Sequence, residues 1–139
     1  MKGKFGVLMA CLSLLGSGAG LVAHHSFSTE YDGAKTFKLT GAVSKVEWTN
    51  PHVRFYVDVL QDGKTETWNM ELASPSALAR NGWTSRTLKV GDKVTVEGYA
   101  AKVAPHRGNA RSVITADGRS LFGGAADDNA PGGPGGGNQ

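Results

Sequence analysis

Four histidines, His24, His25, His52 and His106, are the residues of this 139-residue chain best suited to coordination chemistry. Imidazole is the commonest protein ligand for metals near neutral pH. The first two stand side by side in LVAHHSF, residues 21–27, directly after an apolar run. The only cysteine, Cys11, lies inside that run. If the run is an export signal, the working chain has no thiol, which excludes thiolate metal sites and cysteine nucleophiles. Histidine rings and an amine then favour copper(II), followed by nickel or zinc.

The start of the chain has the layout of a secretory signal peptide. Lys2 and Lys4 form a basic region, Phe5 to Leu15 is an apolar stretch of eleven residues, and small residues lead to Ala23. The apolar stretch is short for a membrane-spanning helix, which needs about 20 residues; an uncleaved N-terminal anchor is the alternative. Cleavage after Ala23 would make His24 the first residue, so that its amine and ring Nδ1 chelate one ion and His52 or His106 complete a planar set. With Ala23 retained, the amine, two amide nitrogens and the third-position imidazole of Ala-His-His would bind copper(II). Cleavage after Gly20 is the competing position. The expected location is periplasmic or secreted. The structural alternative for all four histidines is polar surface, with His52 capping a turn beside Trp48 and His106 solvated in its loop.

Removal of residues 1–23 leaves thirteen Lys and Arg against twelve Asp and Glu, a net charge of +1. A near-neutral domain is a poor match for nucleic acid, whose phosphates dominate affinity. At the other end, residues 123–139 hold seven of the twenty glycines and two prolines. Such a tail has too few apolar residues to build a core and reads as disordered. The expected division is a signal peptide over 1–23, an N-terminal extension over 24–35, a folded domain over 36–122 and the tail.

The elements that must position the histidines are short strands. Residues 38–48 change apolar phase between Val43 and Val46, which implies a bulge near Ser44 and Lys45 and a bent strand. Asn50 and Pro51 make a turn. Residues 53–60 alternate, with Val53, Phe55, Val57 and Val59 to one side and Arg54, Tyr56 and Asp58 to the other. Asp62-Gly63 is a hairpin turn, followed by a strand over 65–72 with Trp68, Met70 and Leu72 inward. Ser74 and Pro75 start a short helix that ends at Gly82. Two more strands occupy 87–99 and 110–122, with turns at Gly91-Asp92 and Asp117-Gly118. The expected fold class is all-β with one short helix: a five-stranded OB-like barrel with the helix between strands 3 and 4.

HHSF, VEWTNPH, SPSALARNGW, LKVGDKVTVEGY and ARSVITADGRSLF, in this order, resemble a family of small exported bacterial proteins with a domain of unknown function. The resemblance spans about residues 24–122. It implies export and an OB-like barrel, and it implies no settled activity. Where the family's A-x-A is expected ahead of HHSF, this chain has LVA.

OB barrels take ligands on the face of strands 2 and 3 and in the loops joining strands 1–2 and 4–5. His52 and His106 fall in those two loops. Arg54 and Tyr56 stand on the face, with Trp48 as a site wall and Asp58, Thr67, Asn69 and Glu71 around them. Single-stranded nucleic acid would want several stacking aromatics and a positive groove; here only Tyr56 stacks, and Asp58 offsets Arg54. Trp68 reads as core and Trp83 as closing a barrel mouth. Arg107, Asn109 and Arg111 form a polar cluster whose hydrogen bonds pin the last loop, an anion pocket being the alternative. Glu47 and Glu71 lie nearest the strand ends, but nothing in the sequence pairs them, and no catalytic motif is present. The sequence therefore predicts an exported binding protein, not an enzyme. Its ligand is a metal ion, copper first, held by His24, His25, His52 and His106. The alternative is a metal-free adaptor that takes a partner protein or small ligand on the strand 2–3 face.

Overall fold

The computed structural model describes residues 27–124. Six strands and two short helices follow one another as α1 (Phe27–Glu30), β1 (Tyr31–Glu47), β2 (Arg54–Gln61), β3 (Lys64–Glu71), α2 (Pro75–Arg80), β4 (Lys93–Ala101), β5 (Arg107–Thr115) and β6 (Ser120–Phe122). The sheet order is β3-β2-β1-β4-β5-β6, and a parallel β3–β5 pairing closes the ring. A five-stranded closed sheet with a helix between its third and fourth strands is the OB architecture. β6 is an addition: the chain turns at Asp117-Gly118 and returns along β5, opposing Leu121 to Val113. The last predicted strand is therefore two, because the turn splits it.

β1 is long because it serves two neighbours. Residues from Thr36 to Ala42 pair with β4, and residues from Ala42 to Glu47 pair with β2. The register shifts between Val43 and Lys45, so the bulge inferred from the phase change is where the strand bends. Close strand approach also dictates glycine: a Cβ on Gly41 would overlap the Asp58 carbonyl of β2, and one on Gly98 the Asn109 carbonyl of β5. The β2–β3 hairpin turns through Asp62 and Gly63 at φ 50° and 76°, the left-handed pair that a two-residue hairpin requires.

Alternation from Val53 through β2 buries Val53, Phe55, Val57 and Val59, which share the core with Met70 of β3, Leu72 just after it, and Val94 and Val96 of β4. Each such side chain contributes about 1.5–3 kcal/mol on burial. One end of the barrel is plugged by α2. Ser74 caps it by accepting from the Ala77 N–H, Pro75 opens it, and Leu78 and Trp83 are buried in the core.

The folded unit begins earlier than residue 36. Phe27 and Tyr31 are buried with Tyr99 in a small satellite cluster, ring centroids 5.6 and 5.2 Å from Phe27. Tyr31 opposes Ala101 and Thr36 opposes Tyr99, so five steps of β1 face two of β4 and the intervening residues loop out. The aromatic alternation Phe27, Tyr31 is too sparse to read as structure until Tyr99 covers it. The expected signal peptide and nearly all of the tail lie outside the described residues, although Gly123 is tied in by accepting from the Ala73 N–H.

Candidate binding face

β2 and β3 are paired in register from Arg54↔Glu71 to Gln61↔Lys64. Residues of even number on β2 and odd number on β3 therefore share the outer face. Side-chain bonds run across this face as one network. The Lys45 ammonium donates to Glu47 at 2.5 Å, and Tyr56 donates to the other Glu47 oxygen at 3.2 Å. Asn69 donates to the Tyr56 oxygen at 3.5 Å and accepts from Arg54 at 3.4 Å. Arg54 in turn pairs with Glu71. Further along, Asp58 accepts from Thr67 at 2.6 Å and from Ser44 at 3.2 Å. Lys45 also lies over the Tyr56 ring, 5.1 Å from its centroid. The hydrogen bond from Lys45 holds the Glu47 carboxyl below its ordinary range.

Glu71 is the pivot of the network. It is a charged residue only 4% exposed, and the closing strand supplies its second cation: Arg107 approaches it at 3.6 Å and pairs with Glu30 of α1 at 2.9 Å. A buried carboxylate persists only with such partners. Tyr31 packs against the same group. Its phenol is pushed up to about 12, first by burial and then by the Glu71 charge. Asn109, which neighbours Glu71 in the β3–β5 register, is wholly buried, and neither its amide nitrogen nor its amide oxygen has a hydrogen-bond partner.

The two described histidines are not on this face, and they do not meet. His52 Nδ1 lies 3.2 Å from the Leu72 carbonyl, where β3 runs toward α2. His106 Nε2 lies 2.5 Å from a Glu66 oxygen, and its ring lies 5.4 Å from that of Trp68. From Glu66 to Leu72 the strand rises about 20 Å. The loops framing the face hold one histidine at each end, so these two rings cannot share an ion. Among the described residues no group of three His, Cys, Asp or Glu side chains is gathered to hold a metal. His24 and His25 lie outside the described residues.

The other candidates divide. Arg54 and Tyr56 are in the network. Trp48 packs against the core cluster instead, because it shares the inward phase of Val46. Trp68, partly buried against the core, meets Phe37 and the exposed His106 in tilted ring contacts at 5.5 and 5.4 Å. Arg107 and Asn109 belong to β5 rather than to a loop, and Arg111 donates to the Tyr99 hydroxyl at 3.5 Å. Glu47 and Glu71, unpaired in the sequence, are linked through Tyr56, Asn69 and Arg54. Glu30 was missed as a site residue; no local signal pairs it with Arg107, 77 residues away.

Fold and face together define an OB barrel with a charge-mixed polar surface on β2 and β3. A family model described as "Family of unknown function (DUF6152)" matches residues 12–110, and the chain belongs to that family. No curated protein matches the chain. Solved structures similar to it include a mitochondrial single-stranded DNA binding protein of S. cerevisiae, Rim1, at 12% identity and TM-score 0.46, covering 59% of this chain and 93% of that one. Another is TiaS in complex with tRNA and ATP, at 24% identity and TM-score 0.44, covering 58% of this chain and 18% of that one.

Proposed function

We propose that this is a small exported binding protein, periplasmic or secreted, that recognises a partner protein through the outer face of β2 and β3 and catalyses no reaction. The observation that carries the reading is the unbroken side-chain network from Lys45 through Tyr56 and Asn69 to Glu71 and Arg107. It holds Lys45, Tyr56, Arg54 and Asn69 in fixed positions on the β2–β3 surface, with the buried Glu71 as their anchor, and prepaid ordering of this kind lowers the cost of binding. Glu47 and Glu71 are each engaged with a cation, which suits recognition better than proton transfer. Counting Lys45, Arg54 and Arg107 against Glu30, Glu47, Asp58 and Glu71, the face has three cations and four anions, a balance that disfavours a polyanion.

A photo-cross-linking residue at Tyr56, in cells that export the full chain, tests the reading against the same residue at Arg86, on the connection after α2. A discrete cross-linked species is expected from position 56 alone and should vanish on adding Asn69→Ala. Identical patterns from both positions, or none from 56, would reject the face as the working surface.

Copper on His24 and His25 is the second reading. Donor chemistry favours it: two adjacent imidazoles, in a chain whose only cysteine lies within the apolar run, suit copper(II). Copper titration of the exported, tag-free chain against a His24→Ala/His25→Ala variant tests it: a tenfold weaker variant supports the site, and equal affinities remove it.

A further inference from the structure

The outer face continues from Glu71 onto β5, and there it is covered by the chain's own N-terminal segment. Three kinds of contact fasten the segment: Phe27 and Tyr31 against Tyr99, Lys102 donating to the Ser28 and Glu30 carbonyls, and the Glu30 carboxylate on Arg107. None involves the main core, and residues 32–35 loop out beside the segment as a ready hinge. Elements that pack in a satellite cluster outside the main core open at lower free energy than the core itself.

What lies beneath is incomplete. Asn109 is 0% exposed with both amide atoms unpartnered, and the Nε of Arg107 is buried without a partner. Buried polar groups are nearly always satisfied, so two neighbouring exceptions on one face call for a ligand. Arg107 and Asn109 are alternate residues of β5 and project to the same side. An Arg Nε–H and an amide N–H from alternate residues on one side of a strand are two donors that a carboxylate can accept from. Glu30 already brings a carboxylate to Arg107 through the Nη2 atom, and the Tyr31 ring lies 5.9 Å from the same guanidinium, while Nε and the Asn109 amide have no partner.

We propose that Phe27–Tyr31 is a displaceable lid over a carboxylate-binding site formed by Arg107 and Asn109, with Glu30 standing in for the carboxylate of an acidic partner peptide. The Arg54–Glu71 pair positions Arg107 from below. Resting on the partner-binding reading above, this names the partner's chemistry: an acidic side chain or a chain-terminal carboxylate, which enters as Glu30 leaves. Charge is conserved in the exchange, so the half-buried arginine keeps its counter-ion.

The test uses the full chain and three fluorescein-labelled octapeptides of Gly and Ser: one with a central Glu and an amidated end, one with a central Gln and a free carboxylate, one with Gln and an amidated end. Fluorescence anisotropy should show the first or second binding, and which of the two identifies the carboxylate's source. Glu30→Gln should tighten that binding about tenfold, the gain expected if the lid is open about a tenth of the time. Arg107→Gln should abolish it in either background. Since Arg107→Gln also disturbs Glu71, hydrogen exchange in the unaltered chain gives an independent reading. The Lys102 amide, which donates to the Glu30 carbonyl, should exchange faster when the binding peptide is added and be unmoved by the neutral one. Equal affinities with and without Glu30, binding of the neutral peptide, binding of none, or an unmoved Lys102 amide overturns the lid. Should Tyr56 still cross-link a partner in that case, only the lid is lost; loss of the Tyr56 cross-link instead removes the face.

Discussion

The Glu30 carboxylate and the Arg107 guanidinium meet at 2.9 Å across 77 residues of sequence, tying the first described turn of the chain to the strand that closes the barrel. Tyr31 lies beneath that bond and over Glu71, so the segment's fastening depends on an uncharged phenol.

Alkaline pH should therefore release the segment. The Tyr31 phenol is raised from its ordinary value of 10 to about 12 in the folded state. Its contribution to stability is complete below pH 10, and it is lost as pH rises toward 12, because only the released or unfolded state gives up the proton there. Two units correspond to roughly 2–3 kcal/mol. Ultraviolet titration of phenolate should show one tyrosine ionising near pH 12, and Phe27→Ala should bring that step down toward 10.

Glu71 should be costly to neutralise. Glu71→Gln leaves Arg54 and Arg107 facing each other without the carboxylate between them. Removing one member of a buried pair costs about 3–5 kcal/mol; Arg54 and Arg107 retain side-chain exposures of 27% and 32%, so the lower end applies. Urea denaturation should give a loss of about 3 kcal/mol, and a far smaller one for Lys38→Ala, whose bond to Glu97 is exposed.

Barrel closure should fail at Gly98. An added Cβ there meets the Asn109 carbonyl, a backbone atom fixed by the β4–β5 ladder. Gly98→Ala should destabilise by about 3 kcal/mol or more, as overpacking against an unyielding neighbour does. At Gly118 nothing lies within 4 Å of a Cβ, and only the φ of 85° resists. Gly118→Ala should cost about 1–2 kcal/mol in the same melting experiment.

His52 and His106 should be dispensable for copper. Each ring has its own neighbour, the Leu72 carbonyl for one and Glu66 for the other, at different ends of β3. In isothermal titration of the full chain, His52→Ala and His106→Ala should each leave affinity within about twofold of the parent. A tenfold loss in either would show that the ring is a ligand after all.

Local rules were legible wherever a residue's fate depends on its near neighbours. Alternation along 53–60 gives the inner and outer faces of β2, since successive side chains of a strand point oppositely. The phase change at Ser44 marks the bulge, Asp62-Gly63 the hairpin, and Ser74-Pro75 the helix start; each follows from the backbone angles those residues accept. From these the order of elements, and with it the OB barrel, could be assembled. The amino-acid sequence also put Arg54, Tyr56, Asn69 and Glu71 on one surface.

Closure of the sheet decided the rest. The parallel β3–β5 seam brings Arg107 to Glu71 and sets Asn109 beside it, and Tyr99 gives Phe27 and Tyr31 something to bury against. The same closure sends His52 and His106 to opposite ends of β3, although the sequence assigns both to loops that frame one face. Periodicity reports which side of a strand a residue occupies; it carries no information on which distant strand will stand alongside. That choice belongs to the long-range pairing of the whole chain, and so only the folded barrel shows where its charges find their partners.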